Sequence, residues 1–184
     1  MDPRIRGDDA GSEIEMAKAF LIERKIEIDA GHRISSHGSK CRNLHGHRYT
    51  VIAVCAGSLA GSGEQRGMVM DFEFLRDEML REVYDACDHA MMLWVDDPLA
   101  QKFIDDKRGF ENIRKQVAKK GFYRTEKSTV GALYIMDGVP TAENLAAHWF
   151  KRLEAGIRKR SNRKARLHQI KVYETPNCLA VYPA

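Results

Sequence analysis

Apolar positions along this chain recur first at every second residue, then at helical spacing, then at every second residue again. Residues 19–28 (AFLIERKIEI) pass from an apolar run into alternation, with Ile26 and Ile28 on one side and charged residues between, which predicts a strand. Residues 29–43 are rich in glycine, serine and polar side chains and read as a long loop carrying His32. Residues 45–56 (HGHRYTVIAVCA) are β-branched and apolar enough for a second strand, partly buried on both faces, with His45 and His47 at its start. Four glycines in residues 57–67 mark a turn region. Asp71 then stands as an N-cap ahead of Phe72, Leu75, Met79, Val83 and Ala86 at helical spacing, which predicts a helix to about Ala86. A second helix begins at residues 140–144 (PTAEN), with Thr141 as cap and an apolar stripe of Leu145, Ala146, Trp149, Phe150, Leu153 and Ile157. Residues 167–173 and 178–182 alternate as a third and a fourth strand, joined by a turn at residues 174–177. Residues 94–138 follow no clear period. The order predicts an α+β fold, a four-stranded antiparallel sheet with two helices on one face. Its open face and edges then call for association of subunits.

Composition sets the frame. With 184 residues, 43% hydrophobic and 30% charged, the chain is expected to form one globular domain over residues 19–184, preceded by a loose segment at residues 1–18. No apolar run approaches the roughly 20 residues of a membrane span, and the first residues lack the apolar core of a secretory signal. A cytoplasmic protein with no membrane partner is therefore expected. Cys41, Cys55, Cys87 and Cys178 read as reduced thiols, none of them paired as CxxC. The net charge of +4 is concentrated in residues 158–166 (RKRSNRKAR). No aromatic residues interleave with those cations, so a solvated helix end is expected there and nucleic acid is not the expected partner.

Chemistry concentrates in residues 41–47 (CRNLHGH). Two histidines one residue apart share a face of a strand and offer two imidazoles to one ion, and Gly46 between them suits close packing. His32 would be the third ligand, brought to the same rim by a hairpin-like return. Three protein ligands with an open fourth position is the pattern of a catalytic zinc site. A cation near a thiol favours the thiolate, so Cys41 can serve as base or nucleophile, or else as a fourth ligand closing a structural site. The open site is preferred because Asp88–His89, at the end of the first helix, offers an imidazole to move protons and a carboxylate to orient it. Glu174 can accept two parallel hydrogen bonds from a planar N–H edge such as that of a pterin or guanine ring.

These residues, together with residues 30–33 (AGHR), 67–72 (GMVMDF), 140–144 and Glu174–Thr175, resemble the 6-pyruvoyltetrahydropterin synthase superfamily, in that family's order and over most of the chain from about residue 20. The three-residue gap between Cys41 and His45-Gly46-His47 is similar to the 6-carboxytetrahydropterin synthase branch of queuosine biosynthesis. The resemblance implies the tunnelling fold, a homohexamer of two stacked trimers whose sheets close into barrels, with 7,8-dihydroneopterin triphosphate as substrate. It implies Zn2+ on His32, His45 and His47, Cys41 as general base, and Asp88 and His89 as a proton relay from a neighbouring subunit. Glu174 would anchor the pterin and Thr141 line the pocket. Arg33, Lys40, Arg42 and Arg48 all lie near the site in sequence and are candidates for the phosphates. Two departures stand out: an insertion at about residues 95–139 close to the pocket rim, and Gly31 where many members carry alanine. Formation of 6-pyruvoyltetrahydropterin and a non-catalytic pterin- or metal-binding module with a closed zinc site are the competing readings.

Overall fold

The structure, a computed structural model, describes residues 19–104 and 106–184, so the expected loose segment at residues 1–18 lies outside the described residues. Strands β1 (Phe20–His32) and β2 (His45–Gly57) pair antiparallel along their full length, from Phe20 opposite Gly57 to His32 opposite His45. Along β1, Ile26, Ile28, Ala30 and His32 are buried while Lys25 and Glu27 are exposed, the alternation of a sheet covered on one face. His32 is thus the last residue of a strand, not a loop residue as its polar surroundings suggest. Asp29 and Gly31, which read as turn formers, fall on the other face of the strand.

The four-stranded expectation is corrected to seven strands among the described residues. Beyond β1 and β2, the chain forms β3 (Met91–Trp94), β4 (Phe122–Thr125), β5 (Leu133–Met136), β6 (Ala165–Thr175) and β7 (Cys178–Tyr182), in the sheet order β4-β5-β3-β1-β2-β6-β7. The four strands visible in the sequence are the contiguous antiparallel block β1-β2-β6-β7. The additional three extend the β1 edge, β3 parallel to β1 and β5 parallel to β3, with β4 antiparallel to β5. They escape a periodicity reading because MMLW and LYIM are four-residue runs, apolar throughout and packed on both faces.

Helix α1 (Phe72–Met79) starts at Asp71, whose side chain accepts from the Glu73 N–H, and runs on through a π-helical turn (Leu80–Tyr84) into α2 (Asp85–Cys87). Helices α3 (Pro98–Lys102) and α4 (Lys107–Lys120) follow, and α5 (Ala142–Arg160) is capped by Thr141. As expected, α1 and α5 share one sheet face, where Leu75, Met79, Leu145, Trp149, Leu153 and Ile157 join Tyr49, Val51, Ala53, Ile170 and Val172 in one core. Each such fully buried side chain contributes roughly 1.5–3 kcal/mol. Helix α4 covers the opposite face of the added strands, setting Phe110, Ile113 and Val117 on Leu93, Leu133 and Ile135. The stretch at residues 95–139 therefore brings a small core of its own. No helix of the described residues is long and apolar enough to cross a membrane.

One charged cluster locks α1 against α5. Glu78 is 1% exposed, and its carboxylate accepts from Arg81 on its own helix and from Arg160 Nε at 2.8 Å across the helix pair. Gly156 leaves the room this needs, since a Cβ there would stand 2.0 Å from Glu78 Oε2. Gly156→Ala is expected to displace the carboxylate from its arginines and cost about 1–3 kcal/mol of stability. A lower denaturant midpoint measures it, and an unchanged midpoint would show that the cluster yields freely.

Candidate functional site

Strand alternation brings His32, His45, His47 and Tyr49 onto the helix-covered face, at the end where β1 stops and β2 starts. The ligand nitrogens of the three histidines lie within 4.8 Å of one another. His32 Nδ1–H donates to the Pro140 carbonyl at 2.8 Å, and His45 Nδ1–H donates to the Asn43 carbonyl at 2.8 Å. Both bonds fix the tautomer that leaves Nε2 as a bare acceptor. His32 Nε2 is buried without a hydrogen-bond partner, an arrangement costing about 1–3 kcal/mol unless something fills the space before it. Burial above all, with His45 and His47 adding to it, lowers the His32 pKa despite the opposing bond to Pro140, so the ring is held in its neutral, ligating form. Three imidazoles with convergent ligand nitrogens are a donor set for a divalent cation.

Glu174 lies within β6 on the same face, its Oε1 3.5 Å from His32 Nε2 and 4.0 Å from His47 Nε2. It borders the convergence point without filling it. Cys41 is half-buried in a short 3-10 turn (Lys40–Arg42), tied down because its carbonyl accepts from Ile34 N–H at 2.8 Å. Its sulfur is not among the clustered ligand atoms, which leaves the trio open in the described residues. Thr141 directly follows Pro140, the residue that orients His32, and its hydroxyl oxygen accepts from the Asn144 N–H. The start of α5 is therefore built into the site wall.

Asp88 and His89 are joined but lie elsewhere. His89 Nδ1–H donates to Asp88 Oδ2 at 2.8 Å, and the pair is mounted on Asp29: its N–H donates to Asp88 Oδ1 at 2.9 Å and its carbonyl accepts from His89 N–H at 2.7 Å. Asp29 is out of phase with His32, and its carboxylate pairs bidentately with Arg48, at 2.9 and 2.8 Å, on the face opposite the three histidines. His89 takes a left-handed backbone (φ 54) and exposes 79% of its side chain. Among the described residues no hydrogen bond, ion pair or ring contact connects this pair to the histidine trio. The structure thus gathers His32, His45, His47 and Glu174 at one place and Asp88 and His89 at another.

Two features escaped the sequence reading. Tyr49, fully buried, sets its ring edge-on to His32 and His47, with centroids 5.8 and 5.7 Å away. Its hydroxyl has no partner, and burial first, then Glu174, raise its pKa so that it keeps its proton. The signal was available, since residues 45, 47 and 49 alternate. The second is Asp97, whose Oδ2 lies 2.9 Å from the Nε of Arg33, the phosphate candidate directly after His32. Asp97 is 2% exposed and its other oxygen accepts from Leu99 N–H at the start of α3, so the added segment is wired to the residue beside a site histidine. His148 is buried and hydrogen-bonded to the Tyr134 hydroxyl at 2.6 Å. Burial, then Arg152 and Lys151, push its pKa down to about 4, and it belongs to the packing of α5 on β5.

Fold and site define an α+β protein that presents a histidine cluster suited to a divalent cation at the end of a mixed sheet. The match to the family model described as 6-pyruvoyl tetrahydropterin synthase spans residues 21–184, and the chain belongs to that family. It is 34% identical over 160 residues to the 6-carboxy-5,6,7,8-tetrahydropterin synthase of Rickettsia felis, covering 84% of this chain and 94% of that one. A solved structure from Wolinella succinogenes matches with a TM-score of 0.62 at 23% identity, over 89% of this chain and 97% of the other. The 6-pyruvoyl tetrahydropterin synthase of Caenorhabditis elegans matches with a TM-score of 0.54 at 21% identity, over 90% and 96%. At those identities the two structures establish the shared fold.

The Asp88–His89 pair carries a pH signature. The hydrogen bond and charge of Asp88 raise the His89 pKa. For Asp88, burial pushes upward, but the bonds from Asp29 N–H and His89 outweigh it and the net shift is downward. The pair therefore persists between a lowered carboxyl and a raised imidazole. Its contribution is lost as pH rises through the folded His89 value and, at the acid end, as pH falls through that of Asp88. NMR titration should find the His89 ring above an ordinary histidine and falling back in Asp88→Asn. A wild-type midpoint at or below the ordinary value would contradict the geometry.

Proposed function

We propose that the protein is a zinc-dependent 6-carboxytetrahydropterin synthase, a lyase that takes 7,8-dihydroneopterin triphosphate and water to 6-carboxytetrahydropterin with release of acetaldehyde and triphosphate, in queuosine biosynthesis. The observation that carries the reading is the spacing Cys41-x-x-x-His45-Gly46-His47, set in a chain whose relative at 34% identity bears that synthase name. The protein works as a cytoplasmic homohexamer of two stacked trimers. The separation of Asp88–His89 from the histidine trio supports an assembly in which each site draws on two chains.

His32, His45 and His47 would hold zinc, with the His32 and His45 rings oriented by the Pro140 and Asn43 carbonyls. When bound, the metal polarises the hydroxyls of the substrate side chain and makes the adjacent protons easier to remove. Cys41 takes and returns a proton as the general base on one side of the substrate. The partner subunit's His89 does so on the other, its ring oriented through Nδ1 by the partner subunit's Asp88. Glu174 accepts the paired N–H edge of the pterin, and the Thr141 hydroxyl lines the pocket from the start of α5.

Incubation with dihydroneopterin triphosphate should yield acetaldehyde and 6-carboxytetrahydropterin; a 6-pyruvoyl product without acetaldehyde would sink this reading. Cys41→Ala should retain zinc by metal analysis and lose roughly 10²–10⁴-fold in turnover, whereas loss of the zinc would reveal a closed structural site. Division of the site has its own check. Cys41→Ala and His89→Ala, each inactive alone, should recover activity when assembled into mixed oligomers, and failure to do so would place all the chemistry within one chain.

A further inference from the structure

The cations near the site separate into two groups. Arg33 is already engaged by the buried Asp97, and Arg48 by Asp29 on the opposite sheet face. Lys40 and Arg42 are exposed, and neither has a hydrogen-bonding or ionic side-chain partner among the described residues. They flank Cys41 on a turn whose backbone is pinned on both sides, by Ile34 N–H on the Cys41 carbonyl and by the His45 ring on the Asn43 carbonyl. Arg42 is three residues from His45, so their backbones are at most about 11 Å apart. Pinning keeps the two charges close to the metal end of the sheet while their side chains stay free to adapt.

We infer that Lys40 and Arg42 form the polyphosphate-binding rim of this site, receiving the triphosphate of the substrate while Arg33 and Arg48 serve the fold. The inference rests on the proposed reaction for its ligand, but its binding chemistry is separate. A chain of phosphates presents several negative oxygens. Lysine meets them as a mobile point charge and arginine as a planar fork, and two unneutralised cations on one turn supply both. The competing anion receptor, the start of α5, is less suited because Glu143 occupies its first turn and opposes a second negative charge there. Charge pairing thus selects two of the four candidate cations.

The test is calorimetric titration of the full-length, metal-loaded protein with inorganic tripolyphosphate, with zinc content measured before and after so that metal extraction is read separately. Lys40→Gln/Arg42→Gln should weaken tripolyphosphate binding roughly 10²–10⁴-fold with its zinc retained, since each lost charge-assisted hydrogen bond to phosphate is worth about ten- to a hundredfold. The exchanged variant Lys40→Arg/Arg42→Lys should bind within a few-fold of wild type, as should Arg48→Gln. Wild-type protein that does not bind tripolyphosphate overturns the inference. So does full binding by the double glutamine variant, or an equal loss in Arg48→Gln. If tripolyphosphate binding follows Lys40 and Arg42 while dihydroneopterin triphosphate gives no 6-carboxy product, the rim stands and the proposed reaction falls.

Discussion

The register between β1 and β2 is the constraint on which the site depends. With His32 opposite His45 and Ala30 opposite His47, three imidazoles meet on one face, and a slip of one residue would turn two of them toward Asp29 and Arg48. Several interactions enforce that alignment together. Ile26, Ile28 and Ala30 share a core with Tyr49, Val51 and Ala53, while Asp29 faces Arg48 directly across the pair on the other side. At the site end, Gly46 lies so close to β1 that a Cβ would stand 2.9 Å from the Ala30 carbonyl, so only glycine closes the strands there. Beside Gly31 the Met91 side chain fills the space, its Cε 2.5 Å from where an alanine methyl would stand.

Strand β3 turns that register into a second set of positions. It lies parallel to β1 with Met91 beside Gly31 and Met92 beside His32, so the residues before and after it are placed by the same alignment. Before it come Asp88 and His89, fastened to the backbone of Asp29; after it comes Asp97, which meets Arg33. A carboxylate as buried as Asp97 is tolerable only because one oxygen caps α3 and the other faces a guanidinium. Residues 95–139 are therefore held to the site through their first turn, while their own core under α4 makes the remainder self-supporting.

What the sequence disclosed follows from how each signal arises. Long strands with one wet face write their alternation into the chain, so β1, β2, β6 and β7 were legible, as were α1 and α5 through Asp71, Thr141 and their apolar stripes. His45 and His47 were legible because alternation is a local rule, whereas His32 was picked out as a ligand but assigned to a loop. Strands β3 and β5 were not, because four apolar residues buried on both sides carry no period, and the end of β1 was masked by Asp29 and Gly31, whose turn-like identities serve the outer face. Tyr49 and Asp97 depend on pairing between distant segments, and no local pattern encodes that a phenol or a carboxylate will be sealed beside a particular partner.

The distribution of unmet polar groups gives the site its direction. On the outer face Asp29, Arg48, Asp88 and His89 satisfy one another, and that surface is chemically quiet apart from an imidazole offered outward on a strained backbone. On the inner face, His32 Nε2 and the Tyr49 hydroxyl are buried without partners, and Glu174 stands 3.5 Å from His32 Nε2, whose ring burial holds toward the neutral form. A buried acceptor, a buried hydroxyl and a carboxylate without a counter-charge cannot be relieved by one another, because the acceptors outnumber the single available donor. A cation held by the three nitrogens would satisfy the buried acceptor. One face of the sheet thus gathers three convergent imidazoles beside a carboxylate, and the other exposes an imidazole oriented by Asp88.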